Sequence, residues 1–209
     1  MRIYLFDEPE KITGGLYERL LAMLPAHRRQ KALRYKNISD SVLCAVSYRL
    51  LGYGLFAEYG IESFSMAVKD NGKPYLADVP GVFFNISHCL EGCICALSDS
   101  EVGADIQHPV RLRNNVIKRV CTQQETELIN SSADPELTFR GIWCMKEAYL
   151  KMLGTGIAAD MKTADTSAEG FPGAYLHFDR YSLAACEQKG LSTAELKESI
   201  VHLGVNDIV

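Results

Sequence analysis

The chain has 209 residues, 47% of them apolar and 23% charged, with a formal net charge of −4. At about 150 residues per domain this is enough for one domain or two small ones, in the ordinary compositional range of soluble globular proteins. The acidic balance speaks against wholesale nucleic-acid binding, which leaves a basic footprint, so any anionic partner must meet a local patch.

Residues 2–6 alternate apolar side chains and read as a strand. The acidic turn that follows, with no basic start and apolar run, is not a signal peptide. Residues 25–36 form a basic helical stretch. Residues 41–53 form a helix with Val42, Ala45, Val46, Leu50 and Phe56 near helical spacing. The longest apolar run, 42–56, is broken by Ser47, Arg49 and two glycines, so no membrane span is expected. Residues 65–68, the turn Asp70-Asn71-Gly72 and residues 74–76 suggest a hairpin. Three short apolar runs, 82–86, 93–97 and 102–106, suit buried strands. A helix is expected over 114–130, a polar break over 131–135, and a long helix through Leu153, with Gly154 where a C′ glycine should end it. Strands follow at 174–178 and 181–186, and 193–203 suits a short helix or a strand.

Helix and strand mix in both halves without regular βαβ alternation, which predicts an α+β fold. The Ser98-Asp99-Ser100 turn is the expected seam between an N-terminal lobe, 1–100, and a C-terminal lobe, 101–209. Seven cysteines, with no Cys-x-x-Cys pair, read as packed free thiols in a reducing cytoplasm.

Four stretches could carry chemistry. In WCMKEAYLKMLGTG (143–156), Ile142, Met145, Ala148, Tyr149, Met152 and Leu153 fall in one apolar arc, with Glu147 and Lys151 one turn apart on the far side. That pair suits a solvated Glu–Lys contact or a carboxylate and an ammonium aimed at a substrate. In VGADIQ (102–107), Asp105 and Gln107 share a strand face. A buried acid there is costly unless paired or holding a cation, and a capping aspartate at the strand exit is the plain alternative. FNISHC (84–89) ends a strand with a hydroxyl and an imidazole, useful to an anion or simply turn chemistry. NGKPYL (71–76) places Lys73 and Pro74 after a tight turn. Two basic runs without acids, 28–36 with five charges and 111–119 with four, are where anions could land, or solvated faces.

Taken in order, GKPYL, FNISHC, VGADIQ and WCMKEAYLKMLGTG resemble the ordered signature of the phosphopantetheinyl transferases, in particular the two-lobed, surfactin-synthetase-type branch. The resemblance implies two similar, pseudo-symmetric α+β lobes with the active site in the cleft between them. It implies Mg²⁺-dependent transfer of the 4′-phosphopantetheine arm of coenzyme A to a serine of an apo acyl or peptidyl carrier protein, releasing 3′,5′-ADP. Asp105 and Glu147 match the metal ligands, and Gln107 stands where a third carboxylate is frequent. Glu147 also matches the proposed general base, and Lys151 would meet the phosphate. Arg28, Lys31, Lys73, Pro74, Ser87, His88 and Lys151 match coenzyme A contacts. Trp143 and Lys146 are motif positions divided between packing and support of the site. A basic residue frequent near the start of the second helix is missing where Asp40 to Leu43 stand, with Lys36 as a substitute. An acidic carrier needs a basic landing site, for which Arg111, Arg113, Lys118 and Arg119 are the candidates. An internally two-lobed chain can act as a monomer. Two other readings stay open: a coenzyme A-binding protein that has lost turnover, for which Gln107 is the clue, and a metal-dependent pyrophosphate hydrolase, which lacks the dense glutamate cluster such a site wants.

Overall fold

The alternation in β1 (Arg2–Phe6) and β5 (Gly92–Ser98) sends side chains into two different cores. Tyr4, Phe6, Cys93, Cys95 and Leu97 point one way, and Ile3, Leu5, Ile94 and Ala96 point the other. A strand buried on both faces needs cover on both, and the chain supplies a helix on one side and a second sheet on the other. The computed structural model describes residues 1–109, 111–156 and 160–209.

After β1 come helices α1 (Gly14–Ala22), α2 (Ala26–Leu33) and α3 (Ile38–Tyr59), then the hairpin β2 (Met66–Val68) and β3 (Pro74–Leu76). Strands β4 (Phe83–Cys89), β5 and β6 (Val102–Gln107) lead to helices α4 (Asn114–Val120), α5 (Gln123–Ser131) and α6 (Pro135–Leu153). The chain closes with β7 (Gly173–His177), β8 (Ser182–Glu187), α7 (Thr193–Ser199), β9 (Ile200–His202) and α8 (Val205–Ile208). One sheet has the order β4-β5-β1-β9 and a second has β6-β8-β7; the hairpin stands alone. The four-stranded sheet packs under α3, and the three-stranded sheet packs under α6 through Ala184, Cys186, Cys144, Met145, Ala148 and Met152. Ile3, Leu5, Ile94 and Ala96 meet Val102, Ala104, Ile106, Leu183 and Ala185 between the sheets. The result is an α+β fold of four layers, helix, sheet, sheet, helix. No helix among the described residues is long and apolar enough to cross a membrane.

Two glycines set the spacing of the outer layers. A Cβ on Gly54 of α3 would lie 2.5 Å from Leu97 and 2.7 Å from Tyr4. A Cβ on Gly103 of β6 would lie 2.0 Å from the Ala148 carbonyl and 2.4 Å from the Met152 nitrogen. Gly103 therefore lets the backbone of α6 lie directly on the strand that carries Asp105. All seven cysteines are free and buried.

Several expectations are corrected. Residues 114–130 form two helices, because Thr122 and Glu125 build a capping box that starts α5 afresh after Cys121. The tail holds both a helix, α7, and a strand, β9, which runs parallel to β1 and pairs Tyr4 with Val201. Leu203, Val205, Ile208 and Val209 accordingly pack into the core beneath α3 rather than with the second sheet. The apolar arc of α6 also divides. Ile142 and Leu150 join Phe139 and Trp143 against α4 and α5, Met145, Ala148 and Met152 face the sheet, and Leu153 is exposed. A helix with neighbours on both sides needs apolar residues on both sides.

Candidate active site

Strands β4 and β6 are the edges of their two sheets, and they meet side by side without a backbone ladder. An edge buried in this way strands backbone donors and acceptors unless side chains reach them. The Ala104 N–H donates to Asn85 Oδ1 at 3.0 Å, and Ser87 Oγ donates to Asp105 Oδ1 at 2.7 Å. The side chains of the FNISHC stretch thus form the join, directly over the metal-ligand candidate.

Asp105 is 5% exposed and lies beneath α6. Lys151 crosses from that helix, its Nζ 2.5 Å from Asp105 Oδ1, 2.9 Å from Ser87 Oγ and 3.4 Å from the Ala104 carbonyl. The second carboxylate oxygen, Asp105 Oδ2, is buried and has no hydrogen-bond partner among the described residues. Glu147 stands one turn before Lys151 and is 6% exposed. Burial pushes its carboxyl above the usual range, the charge of Asp105 adds to this, and Lys151 opposes it. The pair is no solvated surface contact: both acids are buried, and the lysine bonds Asp105.

A buried carboxylate oxygen without a donor, beside a second buried carboxylate, fits a cation. Among the described residues no group of three or more His, Cys, Asp or Glu side chains gathers around one point. Two carboxylates suit Mg²⁺, which is commonly held by one or two such groups and completes its shell with water and phosphate oxygens. Asp105 and Glu147 are the residues that would hold it. Gln107 is half-buried at the end of β6, two residues beyond Asp105 on the same face.

The remaining candidates fall into three places. Lys73 is 8% exposed, and its three ammonium donors meet Glu101 at 2.6 Å, the Met152 carbonyl at 2.6 Å and the Val102 carbonyl at 3.3 Å. These bonds tie the hairpin to the end of α6, and burial lowers the pKa of Lys73 despite Glu101. Pro74 is exposed on the rim of a cavity of about 280 Å³ that also borders Asn85, Lys151, Gly154 and Gly156. The ring of His88 reaches the surface on the opposite face of β4, near Lys31 and Asp40. Enough protein surrounds it for desolvation, then Lys151, to lower its pKa. The Arg28 guanidinium lies 4.8 Å from the Tyr48 ring centre, and its buried Nε has no partner among the described residues.

At the other end, Arg111 and Arg113 join His108 and Pro109 around a cavity of about 410 Å³ lined by Val116, Phe139 and Trp143. Lys118 and Arg119 are exposed on α4. Trp143 packs on Phe139 with ring centres 6.0 Å apart. Lys146, fully buried, bonds Glu125 at 2.8 Å and the carbonyls of Met161 at 3.0 Å and Ala164 at 2.6 Å. It supports the site by anchoring the helix that carries Glu147. Sequence reasoning missed that partner, and also the Asn85 link; the capping box around Glu125 was the available signal.

Two buried acids and a lysine thus come together where the two sheets abut, an arrangement that can hold a cation and move a proton. The comparisons with known proteins name the group. The 4′-phosphopantetheinyl transferase superfamily matches over residues 101–200. A 4′-phosphopantetheinyl transferase of Bacillus subtilis is 26% identical over 162 residues, 76% of this chain and 72% of that one. The 4′-phosphopantetheinyl transferase psf-1 of Bacillus pumilus is 27% identical over 159 residues, 73% of this chain and 68% of that one. HetI of Nostoc sp., a 4′-phosphopantetheinyl transferase, is 35% identical over 118 residues, 52% of this chain and 48% of that one. The chain is thus similar to 4′-phosphopantetheinyl transferases along most of its length, and the superfamily match lies in its second half.

Proposed function

We propose that this protein transfers the 4′-phosphopantetheine arm of coenzyme A to a serine of an apo carrier protein, releasing 3′,5′-ADP, with Mg²⁺ at the site. The observation that carries the reading is the buried Oδ2 of Asp105, near Glu147 and Lys151, which has no hydrogen-bond partner among the described residues. In the transfer the serine oxygen bonds the phosphorus bearing the pantetheine arm, the phosphoanhydride bond to 3′,5′-ADP breaks, and the serine proton must leave. Glu147 takes that proton, directly or through water, and its burial makes it a better base than an exposed carboxylate. Lys151 moves its charge from Asp105 to the phosphate as negative charge grows on the leaving group. Mg²⁺, when bound, supplies Lewis-acid neutralisation of the pyrophosphate oxygens. The cavity beside Pro74, Lys151 and Gly156 receives the coenzyme, with Ser87, His88, Lys31 and Arg28 along the nucleotide side.

The test is incubation with coenzyme A, Mg²⁺ and a panel of apo carrier proteins, followed by intact mass. One carrier should gain a single phosphopantetheine, with 3′,5′-ADP released in equal amount. Tight coenzyme A binding with no transfer to any carrier would favour the binding-protein reading.

The carrier side is taken to be the basic cavity at Arg111 and Arg113, with Lys118 and Arg119 beyond it. Its apolar floor of Val116, Phe139 and Trp143 accepts a carrier side chain while the rim attracts acidic charge. Reversing Arg111 and Arg113 to glutamate is expected to raise KM for the carrier, more at low salt than at high, and to leave coenzyme A affinity nearly unchanged. Equal losses for both substrates would place the patch elsewhere.

A further inference from the structure

Gln107, Ser182 and His177 stand directly opposite one another across β6, β8 and β7, a polar row at the end of the sheet face that also carries Asp105. Arg140 of α6 closes over that row. Its Nε donates to Ser182 Oγ at 2.7 Å, and His177 Nδ1 lies 2.7 Å from the same oxygen. Ser182 is fully buried and Arg140 is 6% exposed.

A guanidinium so deeply buried is costly without an anion to offset it. Arg2 and Arg180 are paired with carboxylates, whereas Arg140 has no carboxylate partner among the described residues. Asp134, at the start of the helix, is committed to capping it by accepting from the Leu137 N–H at 3.0 Å. Among the described residues only Nε has a hydrogen-bond partner, so the rest of the fork is left for a ligand.

The helix indicates which ligand. Arg140 precedes Glu147 by two turns on the same side, about 10 Å along the axis, while Lys151 lies one turn beyond it. The cavity given to coenzyme A adjoins the Lys151 end, and the basic cavity with Phe139 and Trp143 adjoins the Arg140 end. Glu147 sits between them, so an anion at Arg140 arrives with the acceptor and not with the coenzyme. We propose that Arg140, anchored by Ser182, is a binding site for one carboxylate of the carrier protein close to the serine that is modified. This rests on the transferase reading above.

Arg140→Gln removes the charge and keeps a hydrogen-bonding group. It is expected to raise KM for the apo carrier about tenfold or more, the scale for one member of a desolvated pair, while coenzyme A affinity by calorimetry stays unchanged. Acidic residues flanking the carrier serine are then neutralised one at a time. One of them should lose most of its effect on KM in the Arg140→Gln background, the non-additivity expected of groups in contact. Arg140→Lys, which keeps the charge, should recover part of the affinity, and it takes over the cycle if the glutamine variant does not melt cooperatively. Weakened coenzyme A binding would show that the anion is a coenzyme phosphate and overturn the proposal. So would purely additive behaviour with every carrier acid, which would leave Arg140 as a structural tie. Wild-type protein that modifies no carrier would defeat the transferase reading itself, and this assignment with it.

Discussion

Asp105→Ala and Glu147→Ala should each cost on the order of 10³-fold or more in transfer rate, because each removes a charge from a desolvated site where no water can replace it. Gln107→Ala should cost about tenfold or less, the scale of a contact that acts through the ligands rather than as one. The difference follows from position and chemistry. Asp105 has a buried oxygen without a donor among the described residues, and Glu147 is buried within reach of its field, whereas Gln107 is half-buried at the strand exit. A neutral amide is also a poorer partner than a carboxylate for a hard dication that dehydrates reluctantly. Gln107→Glu should lower the Mg²⁺ concentration needed for half-maximal rate. Rate measured against Mg²⁺ for these four variants checks the assignment, and a Gln107→Ala protein as impaired as Asp105→Ala would make the amide a true ligand.

The largest effect on stability is expected at Lys146. Lys146→Met removes one member of a pair in which both side chains are fully buried. Glu125 would keep its bonds from Thr166 and Thr122 but lose its counter-charge. Breaking a buried pair from one side costs about 3–5 kcal/mol. Denaturant unfolding should show a loss of that size, and replacing Glu125 with Gln in the same protein should restore part of it. A loss below about 1 kcal/mol, the range of exposed pairs, would mean water reaches Glu125. Because Lys146 also holds the Met161 and Ala164 carbonyls, the stretch after α6 should become the first site of proteolysis.

Much of the fold was legible because it rests on local patterns. The alternation at 2–6 and 102–106, the hairpin glycine and the stop at Gly154 each have a local cause, and each element stands where the pattern put it. What escaped was set by partners far along the chain. Nothing in residues 193–203 says that Ile200 will pair with Ile3, and the end of α7 is decided by that pairing. Nor does the spacing of WCMKEAYLKMLGTG reveal that α6 has neighbours on two sides, so that Leu150 and Ala148 belong to different cores. The site divides in the same way. Asp105 and Lys151 could be named as candidates from their motifs, but their contact across 46 residues could not. For Lys73, too, the motif marks the position but not the three protein acceptors that its ammonium meets.

The buried cysteines bear on the cargo. On the proposed reading the protein handles a coenzyme that ends in a free thiol, and such coenzymes also circulate as disulfides. Exchange with them needs a thiolate that solvent can reach. Here Cys93 is pushed up to about 12 and Cys121 to about 11 by desolvation, Cys95, Cys144 and Cys186 are raised as well, and every sulfur lies inside the fold. The protein is therefore a poor partner for mixed disulfides with its own substrate, and oxidised coenzyme should leave its mass unchanged while the fold is intact.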